Sequence, residues 1–110
     1  CRYLAAGNAT VNVVFESDGF EISGAMSDFV SIADSGNVMH RRFCTACGTH
    51  LFSEAEARPH LIVVRAGTLD DQSLVEPASN IWLSEAPAWA RPDDRLEAID
   101  GQPPAPPPSA

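Results

Sequence analysis

Two cysteines three positions apart, Cys44 and Cys47, followed directly by Gly48, are the residues of this chain best suited to chemistry. Thiolates at that spacing on a tight turn can grip a divalent metal, and the glycine supplies the positive φ such a turn needs. A structural zinc takes four ligands, usually thiolate or imidazole, so Cys44 and Cys47 make half a site. The third cysteine, Cys1, is the first residue and reads either as a metal ligand or as a stray terminal thiol. A redox dithiol is the competing reading of Cys-x-x-Cys, but that motif ordinarily opens a helix after a βαβ strand. Here His50-Leu51-Phe52 resumes an apolar, strand-like pattern instead, which favours metal.

Other side chains could join such a site, and each also has a plainer reading. His50, three residues beyond Cys47, could act as a further ligand or as a surface or supporting histidine. His40 shares strand parity with Arg42 and Cys44, so its ring could face the metal side or solvent. His60 follows Pro59 and reads as a loop residue. Arg65 sits inside an apolar run, where a charge needs a partner or an exit to water; binding and structural roles both remain open. Asp70-Asp71 reads either as a carboxylate pair or as the opening of a helical turn. Trp82 and Trp89 could line a pocket, though apolar anchors for a last strand are the commoner use.

The elements that must position these residues are short strands. Val11, Val13 and Phe15 alternate along a first strand, and Ser17-Asp18-Gly19 turns the chain into a second at Phe20–Ser23. Residues 29–33 and 38–44 form a hairpin through Asp34-Ser35-Gly36-Asn37 that delivers the chain into the cysteine turn. Leu51-Phe52 begins another strand, and 61–66 is the most apolar run and the candidate central strand. Thr68 followed by Asp70-Asp71 predicts a short helical turn with Thr68 as its cap. Asn80–Leu83 reads as a last strand, with Pro87-Ala88-Trp89 closing the packed region. The expected organisation is one mainly β domain over residues 1–100 and a Pro-rich, extended tail over 101–110.

Composition narrows the function classes. Seven arginines, no lysine and fifteen acidic residues give a net charge of −8, which works against nucleic-acid binding and docking on anionic membranes. No apolar run is long enough to span a bilayer. Three cysteines, two of them in Cys-x-x-Cys, fit metal-bound thiols in a reducing compartment, hence a cytoplasmic expectation.

Four pieces fall in one order: Cys1-Arg2-Tyr3-Leu4-Ala5-Ala6-Gly7, then 42–52 around the cysteines, then Val63 to Asp71 with Arg65-Ala66-Gly67-Thr68-Leu69, then Ile81-Trp82 with Pro87-Ala88-Trp89. That order resembles the glutathione-dependent formaldehyde-activating enzyme family, which also includes a centromere-associated protein, over residues 1–98. The resemblance implies a small β-tent domain (Mss4-like, zinc-ribbon-like) with short antiparallel strands and two zinc sites. It implies that Cys44 and Cys47 are the later half of a structural zinc site and that Cys1 is the last cysteine of a catalytic zinc cluster. The family's remaining ligands come before the position of Cys1, so the expectation is a domain truncated at its N-terminus. Ala5-Ala6-Gly7 stands where the family has Ser-Gly.

The activity implied is that of a zinc-dependent carbon–sulfur lyase. The thiol of glutathione adds to formaldehyde to give S-hydroxymethylglutathione. Arg2 is the first candidate to hold a glutathione carboxylate, with Arg41, Arg42 and Arg65 after it. With Cys1 as its one thiolate, a catalytic zinc lacks ligands, so the chain alone is expected to hold none and its own activity is left open. For Cys44 and Cys47 the options are a free dithiol, a disulfide, or zinc completed by a neighbouring chain in a homodimer. The alternative function is a non-catalytic zinc-binding β-tent module acting as a structural or protein-interaction domain.

Overall fold

The computed structural model describes residues 9–20, 23–90 and 92–103. Cys1, Arg2, Ala5-Ala6-Gly7, positions 21–22 of the expected second strand and positions 104–110 of the tail lie outside the described residues. The chain divides into two compact units, residues 12–72 and a second drawn from residues 1–11 and 73–110. No α-helix occurs among the described residues.

The first unit is a five-stranded antiparallel sheet. Its strands are β1 (Asn12–Glu16), β2 (Met26–Ile32), β3 (Val38–Cys44), β4 (His50–Ala55) and β5 (Leu61–Arg65), in the order β1-β5-β4-β3-β2. The β2–β3 hairpin follows from its turn. Gly36 takes φ +90°, and the Gly36 N–H donates to the Ala33 carbonyl at 2.8 Å while the Ala33 N–H donates to the Asn37 carbonyl at 2.9 Å. That closure fixes Ile32 opposite Val38 and, six pairs on, Met26 opposite Cys44. The hairpin is the expected one, with β2 three residues longer at its start.

One face of the sheet carries the core. Phe52, Ile62 and Val64 are buried there, with Phe15, Phe20, Met26, Leu51 and Leu69 packed against them. Phe20 bridges the cluster, its ring 5.9 Å from Phe15 and 6.3 Å, edge-on, from Phe52. Burial of Phe52, Ile62 and Val64 contributes about 1.5–3 kcal/mol each. Strand β1 starts one residue later than expected, and Val11 lies outside it with 52% of its surface exposed. The apolar run at 61–66 is an inner strand, but the middle position belongs to β4. Burial in β5 alternates, since the sheet covers Ile62 and Val64 and leaves Leu61 and Val63 half-buried.

The expected cap at Thr68 is also corrected. Thr68 ends a 3₁₀ turn, Ala66–Thr68, and its hydroxyl donates back to the Arg65 carbonyl at 2.8 Å. Asp70-Asp71 immediately precedes a second 3₁₀ turn, Gln72–Leu74.

In the second unit, the strand expected at 80–83 is reduced to β6 (Ser79–Asn80), paired in parallel with β7 (Glu97–Ala98). Trp82 ends it by adopting φ +56°, and a 3₁₀ turn follows at Leu83–Glu85. Its indole N–H donates to Gln102 Oε1 at 2.9 Å. Trp89 is not an anchor: 61% of it is exposed. Among the described residues, no helix is long and apolar enough to cross a membrane.

Candidate metal-binding turn and flanking charge clusters

The two cysteines sit where β3 leaves the sheet and before β4 re-enters it. Cys44 ends β3, its N–H donating to the Thr49 carbonyl at 2.8 Å, and its carbonyl accepts the Gly48 N–H at 2.8 Å. Gly48 takes φ +77°, the left-handed geometry expected of it. The Thr45 N–H reaches the Ala25 carbonyl at 3.4 Å and its hydroxyl lies 3.1 Å from that of Ser27, which ties the turn to the start of β2. The sulfurs of Cys44 and Cys47 are within hydrogen-bonding reach of each other, and both residues are free thiols.

Cys47 is the exposed member, with its sulfur 3.1 Å from the Thr49 hydroxyl. The Thr49 hydroxyl, then the Thr49 amide, then the Cys44 thiol hold the Cys47 thiol below the ordinary range; weak desolvation opposes them. These donors favour the thiolate that a soft divalent metal takes. The pair therefore fits half of a tetrahedral zinc site. Among the described residues, no group of three or more His, Cys, Asp or Glu side chains converges to complete it.

Around the turn, β3 distributes charge to two faces by simple alternation. His40 and Arg42 share the face of the core but lie beyond its edge, over β2 and β3. His40 Nδ1 is 2.8 Å from Asp28 Oδ2 and its Nε2 is 3.7 Å from Glu56 Oε2. Arg42 Nε lies 3.6 Å from Asp28 Oδ1 and Nη2 lies 3.9 Å from Glu54 Oε1. His40 is thus held between carboxylates rather than simply solvated. The hydrogen bond to Asp28 raises its pKa, against a smaller opposing effect of desolvation.

Arg41, between them, points to the other face and donates to the Ser31 hydroxyl at 2.5 Å. Arg65 and His50 lie on the same face, near enough for Arg41 to act on both electrostatically. Arg65 donates from Nε (3.2 Å) and Nη2 (2.8 Å) to His50 Nδ1, and from Nη1 to Asn12 Oδ1 at 3.1 Å. A register shift between Arg42 and Phe43 brings His50 onto this side. Arg42 pairs with Phe52 but Phe43 pairs with His50, so Leu51 is an extra residue and turns to the core. Two guanidinium donors at Nδ1 make that nitrogen the acceptor and leave the ring proton on Nε2. Nε2 is buried and has no partner. Burial first, then Arg65, lowers the His50 pKa, and Arg41 lowers it further.

A family model described as glutathione-dependent formaldehyde-activating enzyme matches residues 1–85. The chain belongs to that family. No curated protein matches the chain. Cys44 and Cys47 lie in one turn, between β3 and β4. Of the other candidates, Cys1 and Arg2 lie outside the described residues. His50 is committed to Arg65 rather than to the sulfurs. His60 lies in the loop before β5, where its carbonyl accepts the Ser17 N–H at 2.9 Å. Asp70 and Asp71 are exposed. The grouping of Arg41, Arg65 and His50 was not legible in the sequence. Parity along β3 separates Arg41 from Arg42, but it takes the register shift in β4 to bring His50 to Arg65.

Proposed function

We propose that the chain carries the zinc-dependent carbon–sulfur lyase chemistry of its family on a β-tent, Mss4-like domain, condensing glutathione with formaldehyde. The observation that carries this reading is the family match over residues 1–85, joined to two free thiols, Cys44 and Cys47, in one turn. Cys44 and Cys47 would hold a structural zinc together with two ligands from another segment. Cys1 would be a ligand of the catalytic zinc and Arg2 an anchor for a glutathione carboxylate. A zinc bound there would supply Lewis acidity and a lowered thiol pKa. In the reaction the glutathione sulfur forms a bond to the formaldehyde carbon, and the thiol proton passes to the former carbonyl oxygen. The cytoplasm, where glutathione is kept reduced, is the compartment this chemistry suits.

Zinc content and exchange kinetics test the reading together. The expected result is bound zinc that is lost in Cys44→Ser and Cys47→Ser, with faster interconversion of glutathione and S-hydroxymethylglutathione measured by NMR exchange. Zinc without any acceleration would leave a structural module in place of an enzyme. Neither zinc nor acceleration would remove both parts of the proposal.

A further inference from the structure

Arginines in this chain are outnumbered about two to one by carboxylates, seven against fifteen, so a guanidinium without an acidic partner calls for an explanation. Arg42 and Arg95 each have one. Arg41, Arg58 and Arg65 have none among the described residues; of these, Arg41 and Arg65 are half-buried on one shared face of the sheet, opposite the core. Their partners are neutral: the Ser31 hydroxyl, the Asn12 amide oxygen and the acceptor nitrogen of His50. The two cations are close enough that Arg41 depresses the pKa of Arg65, after the larger effect of burial. Each guanidinium keeps N–H groups beyond those it uses, and His50 adds a neutral ring that does not cancel the charge.

We propose that Arg41 and Arg65, with His50 holding Arg65 in place, form a binding site for the carboxylate of a small organic ligand. Its identification with a carboxylate of glutathione rests on the function proposed above; the site itself does not. Like charges half-withdrawn from water are stabilised by an anion that accepts from both, and planar guanidinium forks match a carboxylate best. A polyanion is disfavoured, since the chain as a whole carries −8. Phe43 and Val63, at the register positions that flank these arginines, give the surroundings an apolar character suited to a short organic chain. Along the chain the site is close to the cysteine turn, Arg41 three residues before Cys44 and His50 three after Cys47, but Cys44 has the strand parity of Arg42 and not of Arg41. His50 acts as a positioning residue.

The test is an NMR titration of the full chain with glutathione, glutarate and inorganic phosphate, following the Arg65 Nε–H and His50 ring signals. Arg41→Gln, Arg65→Gln and the charge-retaining Arg41→Lys are compared with Arg95→Gln, an exposed control. Glutathione and glutarate are expected to shift both signals. Affinity should fall roughly tenfold or more in each Gln variant, as for loss of a charge-assisted hydrogen bond. It should be partly kept in Arg41→Lys and unchanged in Arg95→Gln. Glutarate binding without glutathione binding would keep the site and remove glutathione as its ligand. Glutathione binding at full affinity in folded Arg41→Gln and Arg65→Gln would overturn the site while leaving the family chemistry intact. Tighter binding of phosphate than of glutarate, or no response to either carboxylate, would also overturn it.

Discussion

Strand β3 separates two charge clusters that differ in one respect. On one side His40 and Arg42 are matched by Asp28, Glu54 and Glu56. On the other Arg41, Arg65 and His50 share a face with serine and asparagine as the added partners and, among the described residues, no carboxylate. The first cluster balances its charge with carboxylates, although Arg42 Nε is buried without a hydrogen bond; the second is left with excess positive charge and spare donors. Composition does not explain the difference, because acidic residues are abundant. Register does. Asp28 stands opposite Arg42, whereas Phe29 stands opposite Arg41, so alternate residues of β2 supply a carboxylate to one side and a phenyl ring to the other. A chain with an acidic excess that withholds carboxylates from one patch has the electrostatic pattern of a ligand site.

The comparison requires that both clusters rest on a common support, and Phe52 is where to break it. Phe52 is 6% exposed, stands between Arg42 and Val64 in the sheet, and packs against Phe20. Phe52→Ala should cost about 3–5 kcal/mol, the range for truncating a buried phenylalanine. A core this small has little to spare. Urea denaturation followed by circular dichroism is expected to show a large fall in midpoint, with the His40 and His50 environments lost in the same transition. A variant that melts at the parent midpoint would mean that the clusters do not depend on the shared core.

How much of this was legible in the sequence can be judged residue by residue. The hairpin, the cysteine turn and the left-handed Gly48 were readable because they rest on local rules: alternation, a Gly-containing turn and a motif with fixed spacing. The mainly β class followed from the same signals. Trp82 and Trp89 misled because a large aromatic in a short chain invites a core role. Neither has a long strand to anchor, since the chain takes a left-handed step at Trp82. The two clusters were harder to foresee. Asp28 opposite Arg42 follows from the hairpin register once the turn is fixed. The approach of Arg65 to His50 depends on a one-residue irregularity in β4 that no local pattern announces.

Adjacent arginines offer a sharper version of the comparison. Arg42→Gln leaves Asp28 and Glu54 without their cation and should lower stability by roughly 0.2–1 kcal/mol, the usual worth of a partly exposed pair. Arg41→Gln removes a charge that opposes Arg65, so without ligand it should be neutral or slightly stabilising, within about 0.5 kcal/mol. Denaturation midpoints at low salt should therefore move apart for neighbouring residues carrying the same substitution, and added salt should narrow the gap. Equal losses in both variants would mean that Arg41 has an acidic partner after all.

The finest distinction lies in the two histidines. His40 has its pKa raised above the ordinary 6.5, chiefly by its hydrogen bond to Asp28. It therefore contributes stability that is complete below about pH 6.5 and is lost as pH rises through its folded value. His50 has its pKa lowered from the same 6.5, first by burial and then by Arg65. The unfolded chain takes up that proton more readily than the folded one, so stability falls as pH drops below 6.5 through the folded value. The two dependences oppose each other, and the net stability profile should be shallow although neither ring is ordinary. Proton NMR resolves them: the His40 ring signals should titrate above 6.5 and those of His50 below it. Asp28→Asn should return His40 toward 6.5 without moving His50, and Arg65→Gln should raise His50 without moving His40. A substitution that shifts both rings together would show that β3 does not insulate its two faces.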